Sequence, residues 1–244
     1  MARRVRTRHD QISLFRNGGK RRGAGRKPCG ARSNTSHRAR PVIDAANALH
    51  VTLRVAPEVG WMRRPAMFRA IRAASRTAAK RETFRIVHLT IQRTHLHLIV
   101  EAEDNEALAR GMQGFKVSVA RHVNRAMGDE RGRRRGRVFA DRYHLVVISS
   151  PTQMRRVLSY VLNNWRHHDD WRTAPGWLVD PYSTAYAFGG WRERAQDVAL
   201  WPRGEYDWLA AREPRSWLLR DGWRRGCGGD PREESISVHE VPGA

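Results

Sequence analysis

The sequence predicts an α+β fold: a ferredoxin-like antiparallel sheet with helices on one face, plus a basic N-terminal tail and a Trp-rich C-terminal extension. Three observations carry this reading. Between residues 42 and 168 the hydrophobic period switches in the order β-α-β-β-α-β-α. Residues 1–41 hold 13 Lys and Arg against one acid, Asp10. Seven of the nine tryptophans fall after residue 169. These divide the chain into a basic, disordered DNA-binding tail (1–41), a core domain (42–168), a Trp-rich accessory region (169–226) and a disordered end (227–244).

Within the core domain, "LHVTLRV" (49–55) alternates like a strand. "PAMFRAIRAASRTAAKR" (65–81) predicts a helix with Pro at its start and Met67, Ile71 and Ala74 along one face. "FRIVHLTIQ" (84–92) and "HLHLIVEA" (95–102) read as strands separated by Arg93-Thr94, a spacing that predicts an antiparallel hairpin. A long helix follows over 105–126, then a basic loop at 131–137 and a fourth strand region in "RVFADRYHLVVIS". Ser150, Pro151 and Gln153 form a helix-start signature. Met154, Val157, Leu158, Val161, Leu162 and Trp165 then make an apolar stripe. Tyr160 and Asn164, four residues apart, fall off that stripe and are expected to turn away from the core.

The formal net charge is +22 over 244 residues, and only four of the 46 basic residues are lysine. Arginine's planar fork suits phosphate oxygens, so a polyanion is the expected partner, nucleic acid first and an anionic membrane surface second. A GC-rich genome would also raise the arginine count, without removing the charge. Two cysteines, Cys29 and Cys227, are too few for a zinc site or a disulfide framework and suit a reducing cytoplasm. No stretch approaches the roughly 20 apolar residues of a membrane span, and the Arg-rich start lacks a secretory core segment. In the tail, "RRGAGRKP" (21–28) resembles an AT-hook, interrupted by Lys27. Arg21, Arg22, Arg26 and Lys27 there read equally as a solvated charge run or as minor-groove contacts, and in both cases bind phosphates in a salt-dependent way. The C-terminal tryptophans read as packing onto the core, with base stacking as the alternative.

"RTHLHLIVEA" (93–102) is the most informative stretch. Residues two apart in a strand share a face. Leu96, Leu98 and Val100 then face the core, while His95, His97, Ile99 and Glu101 face the other side. Two imidazoles about 7 Å apart along a strand can reach one metal ion; taken alone they read first as ordinary half-exposed strand histidines, a reading that a third ligand and a reactive group would reverse.

"HLHLIVEA" resembles the histidine-hydrophobe-histidine motif of the single-tyrosine HUH transposases (IS200-like). "GRVFADRYH" and "YVLNN", with "RGMQGF" and "RHVNRAMG" on the preceding helix, resemble the REP-associated tyrosine transposase branch. The resemblance covers residues from about 47 to 168. It implies that Tyr160 is the nucleophile and that His95, His97 and Asn164 hold Mg²⁺ or Mn²⁺. The mixed nitrogen and oxygen donors suit Mn²⁺ somewhat better. It further implies a nickase and strand transferase that cuts and rejoins single-stranded, hairpin-forming DNA through a 5′-phosphotyrosine, in a bacterial, nucleoid-associated setting. Tyr143, in "DRYH", is the alternative nucleophile, but has no amide one helical turn away. Arg142, Arg155 and Arg156 are candidates for backbone contacts or plain surface charge. The broader family often forms dimers in which the tyrosine helix acts in trans, while this branch includes monomers, so a homodimer stays open. The competing reading is a catalytically inactive, domesticated DNA-binding descendant.

Overall fold

The computed structural model describes residues 40–130, 132–225 and 235–241. Arg21, Arg22, Arg26 and Lys27 lie outside the described residues. Four strands form one sheet: β1 (Ala48–Arg54), β2 (Phe84–Ile91), β3 (His95–Ala102) and β4 (His144–Ile148), in the order β2-β3-β1-β4 with every pairing antiparallel. Helices α1 (Pro65–Ala78), α2 (Asn105–Ala126) and α3 (Pro151–His167) follow β1, β3 and β4. This is the α+β architecture and element order the sequence predicts. The hairpin closes over Arg93-Thr94, with Gln92 N–H donating to His95 O at 2.9 Å. The fourth strand is shorter than its hydrophobic region, because residues 137–143 run as a loop that meets the end of β1 and the residues after it, through a bridge from Val55 to Phe139 and a bond from Ala140 N–H to Arg54 O.

Strand alternation sorts the side chains into two faces. Leu49, Val51 and Leu53 of β1 and Leu96, Leu98 and Val100 of β3 meet α1 and α2 in one apolar core. Gly111 of α2 makes that contact close: a Cβ there would lie 2.1 Å from the Phe84 ring. The first-face layer of α1 and α2 is the one the sequence predicts. The structure adds a second layer, with α3 on the opposite face. Met154, Leu158, Val161 and Leu162 cluster there with Ala48, Val87, Ile99 and Ile148.

The start of α3 is fixed locally. Ser150 caps it by accepting from Gln153 N–H, and Gln153 Oε1 accepts from Ser149 N–H rather than from the cap residue itself. Such a cap is worth about 1 kcal/mol.

The C-terminal region packs onto this second layer. Trp191, Trp223, Ile236 and Val238 are buried against α3. Residues 182–184 run along the outer edge of β2, with Ile91 N–H donating to Tyr182 O and Thr184 N–H to Leu89 O, each at 2.9 Å. That edge is thereby closed to stray pairing. Asp180 anchors the segment. It takes a two-pronged ion pair from Arg63 at 2.8 and 2.9 Å and bonds from Thr90 Oγ1 and Tyr182 N–H. Glu101, on the second face of β3, accepts the N–H groups of Arg215 and Ser216 just before the short helix α4 (Trp217–Arg220). The last described segment crosses α3, with Asn163 donating to Ser237 O and Arg155 to Ser235 O. Among the described residues no helix is long and apolar enough to cross a membrane.

Candidate active site

The second face of the sheet carries the polar side chains. Register sets Thr52 of β1 and Thr90 of β2 opposite His97 of β3. Two positions along on the same face, His50 stands across from Ile99. The result is a chain of contacts. His95 Nε2 lies 2.9 Å from His97 Nε2. On the other side of the same ring, His97 Nδ1 lies 3.1 Å from His50 Nε2 and 3.2 Å from Thr52 Oγ1. Tyr160 of α3 brings its hydroxyl to 3.4 Å from His97 Nε2, with the two rings edge-on.

Tyr160 is therefore not turned away from the sheet. It leans onto the sheet's polar face while keeping 37% of its surface exposed. Asn164, one turn later, is fully buried rather than solvent-facing. The reason is the added layer: α3 lies between the sheet and the C-terminal region, so residues 161–165 are all buried. A helical wheel drawn for a helix covered on one side misplaces Asn164.

Burial holds this cluster neutral. His97 is pushed down to about 2, by burial first and then by the neighbouring His50, His95 and His168. His50 is lowered to about 4 by burial and by His144. His95 is also lowered, by burial and then His168. A neutral imidazole keeps a ring nitrogen lone pair for a metal.

Three features fit the residues to a divalent ion. The Nε2 atoms of His95 and His97 sit 2.9 Å apart, the spacing of two adjacent ligands with bonds of about 2.1 Å. The far nitrogen of His97 is engaged by His50 and Thr52, the outer support that orients a ligating ring. Asn164 Oδ1 and Nδ2 are both buried without a hydrogen-bond partner, a costly state for an amide that serves packing alone. Among the described residues, no three His, Cys, Asp or Glu side chains gather in a metal-holding arrangement. The donors that the geometry brings together are the two imidazole Nε2 atoms, with the Asn164 amide buried one turn after Tyr160 on α3.

The remaining candidates separate clearly. Tyr143 is buried among the first-face core, its ring under the Arg40 guanidinium at 3.6 Å, and burial raises its hydroxyl above the ordinary range. It lies on the opposite side of the sheet from the histidines. Arg156 is exposed one turn before Tyr160 on α3. Arg142 is half-buried in the loop before β4. Arg155 donates to Ser235 O and lies 3.6 Å from Glu240, so it clamps the C-terminal segment. His50 and Thr52 escaped sequence reasoning. "LHVTLRV" does place them together on the outward face of β1, but only the β1–β3 register brings them to His97.

The family described as "Transposase IS200 like" matches residues 47–164. A solved REP-associated tyrosine transposase bound to a REP hairpin shares 17% identity, with a TM-score of 0.49, over 75% of this chain and 100% of that one. A crystal structure of a protein from Deinococcus radiodurans R1 assigned as a transposase shares 13% identity, with a TM-score of 0.35, over 52% of this chain and 97% of that one. No curated protein matches the chain. The matched span runs from just before β1 to Asn164, taking in both histidines and the tyrosine, and it is this domain, a little under half of the chain, that is similar to the IS200-like transposases.

Proposed function

We propose that this domain nicks and rejoins single-stranded, hairpin-forming DNA through a tyrosine–DNA intermediate, in the manner of the REP-associated branch. The observation that carries the reading is the 3.4 Å approach of the Tyr160 hydroxyl to a paired-imidazole site. The Tyr160 oxygen attacks the scissile phosphorus, and the bond from phosphorus to the 3′ oxygen breaks. The products are a 5′-phosphotyrosyl strand and a 3′-hydroxyl. The phenol proton leaves to water at the exposed side of the ring, and the departing oxygen takes one up. Because the phosphodiester is exchanged rather than hydrolysed, another 3′-hydroxyl can reverse the step and join strands without ATP.

His95, His97 and Asn164 are the residues that would hold Mg²⁺ or Mn²⁺. When bound, the ion polarises the phosphate and offsets charge building on its oxygens. His50 and Thr52 engage the far side of His97, leaving its Nε2 directed at the site. Arg156 and Arg142 grip the DNA backbone, which orients the strand without reading its sequence. The basic tail adds salt-sensitive affinity through Arg21, Arg22, Arg26 and Lys27. Within one chain, Tyr160 already meets His97.

The test uses 3′-labelled single-stranded hairpins with Mn²⁺, followed by denaturing gels. Wild type is expected to carry the label as a covalent adduct, and Tyr160→Phe to lose it by at least about a thousandfold. Equal behaviour of the two proteins overturns the proposal.

A further inference from the structure

An aromatic groove between the start of α1 and the C-terminal region plays no part in the chemistry above. It has a volume of about 290 Å³ and is lined by Pro65, Phe68, Trp177, Tyr182, Tyr206 and Trp208. All five rings are only half-buried. So many large rings left with open surface in one place mark a binding surface rather than surplus packing.

The rings are held before anything binds. Arg72 of α1 donates through Nε to Trp208 O at 3.0 Å, and its guanidinium pairs with Asp207. Ala210 N–H donates to Ser75 Oγ at 3.0 Å. Tyr186 stacks on Trp208 with ring centroids 4.3 Å apart. On the other wall, Tyr182 lies against the Arg63 guanidinium at 4.7 Å. Rings fixed in this way lose little further freedom when a partner arrives.

Two features say what fits. First, the lining rings meet edge to face: Phe68 and Tyr182 at 78°, Trp177 and Tyr206 at 73°, Trp177 and Trp208 at 73°. Edge-on rings leave V-shaped notches that suit a pyrrolidine ring, whereas a nucleobase stacks on an open flat face. Second, among the described residues the indole N–H groups of Trp177 and Trp208 and the Tyr206 hydroxyl make no hydrogen bond, and none is sealed from solvent. A polyproline II strand has the matching need. It forms no internal hydrogen bonds, so its carbonyls are free acceptors.

Charge beside the groove sets the rest. Arg69, Arg72 and Arg76 follow one stripe of α1 at spacings of three and four, and Arg69 lines the groove. Arg69 and Arg76 are exposed. Asp207, the one carboxylate among the lining residues, is already paired with Arg72. This rim complements acidic groups.

We infer that the groove docks an acidic, proline-rich segment of a partner protein in polyproline II form. Its prolines seat between the edge-on rings, its carbonyls accept from Trp177, Trp208 and Tyr206, and its acidic flank runs along Arg69 and Arg76. The inference goes beyond the reaction proposed for Tyr160 and gives the chain a protein partner.

The experiment measures fluorescence anisotropy with full-length protein and two fluorescein-labelled peptides. Both carry aspartates at each end; one has a run of eight prolines between them, the other Gly-Ser repeats of equal length. Their shared flanks cancel general attraction to a cationic chain. The proline peptide is expected to bind at least about tenfold more tightly. Tyr206→Ala, checked by its thermal midpoint, should bring that ratio to about twofold or less. Arg69→Glu combined with Arg76→Glu leaves every ring in place and should reverse the preference for aspartate over lysine flanks. Equal binding of the two peptides by the unsubstituted protein overturns the proposal, and so does an unreversed flank preference in the double variant. Oligothymidine separates the nucleic-acid alternative. If Tyr206→Ala weakens oligothymidine as much as the proline peptide, the rings form a platform for bases and peptide docking is overturned.

Discussion

The two faces of the sheet are built from the same strands and do opposite things. On the first face, β1 and β3 present Leu49, Val51, Leu53, Leu96, Leu98 and Val100 to two helices. On the second, the alternate residues of those strands are His50, Thr52, His95, His97 and Glu101, with Ala48 and Ile99 as the apolar exceptions. A strand buried on both sides normally reads as a continuous apolar run. Here polar groups are buried at a cost met only where they find partners or a ligand. Substitutions on the first face should therefore be felt as lost stability, and those around the histidines as lost chemistry.

Five substitutions sharpen that contrast, the largest expected stability change first. Asp180→Ala leaves Arg63 buried without its two-pronged partner, and urea unfolding should show a loss of about 3–5 kcal/mol. This would place the anchor of the C-terminal region among the strongest contributors to the fold. Leu98→Ala, in the first-face core, should cost about 2–5 kcal/mol by the same measurement.

His88 gives a pH-dependent counterpart. Its imidazole is buried against Thr184 and is lowered to about 4 by burial alone. A base whose folded value lies below its unfolded value of about 6.5 contributes fully above pH 6.5 and loses that contribution as pH falls toward 4. Between pH 7.5 and 5 the single group should remove about 2 kcal/mol of stability. His88→Leu should flatten the acid limb by that amount, and an unchanged limb would show that other groups set it. Gly111→Ala, which drives a methyl into the Phe84 ring, should cost about 1–3 kcal/mol. Tyr160→Phe should lie near zero on this scale while removing the adduct, so the position that matters least for folding matters most for the proposed reaction.

Much of this was legible in the sequence. Alternation in "HLHLIVEA" assigned each residue to its face, and the two-residue turn at Arg93-Thr94 closed the hairpin where expected. Spacing of four placed Tyr160 and Asn164 on the same side of α3. What stayed hidden depends on contacts far apart in sequence. His50 precedes His97 by 47 residues, and only register brings them together. The burial of Asn164 comes from a segment of weak periodicity wrapping α3, which local pattern does not encode. Tyr206 and Trp208 sit in a loop, where no period announces whether a ring faces in or out.

The segment 235–238 crosses α3 on the side away from the histidines and bonds to Asn163 and Arg155, the latter one turn and a half before Tyr160. It also lies beside Trp191 and ties Glu193 through Ser237 and Val238. A nascent chain can form the hairpin and the first-face core well before this segment is synthesised. The seat of the proposed nucleophile is finished only once residues 235–238 have been made and have folded back onto α3. A chain cut short before residue 235 would keep both histidines on β3 yet lose the contacts that brace the helix carrying Tyr160.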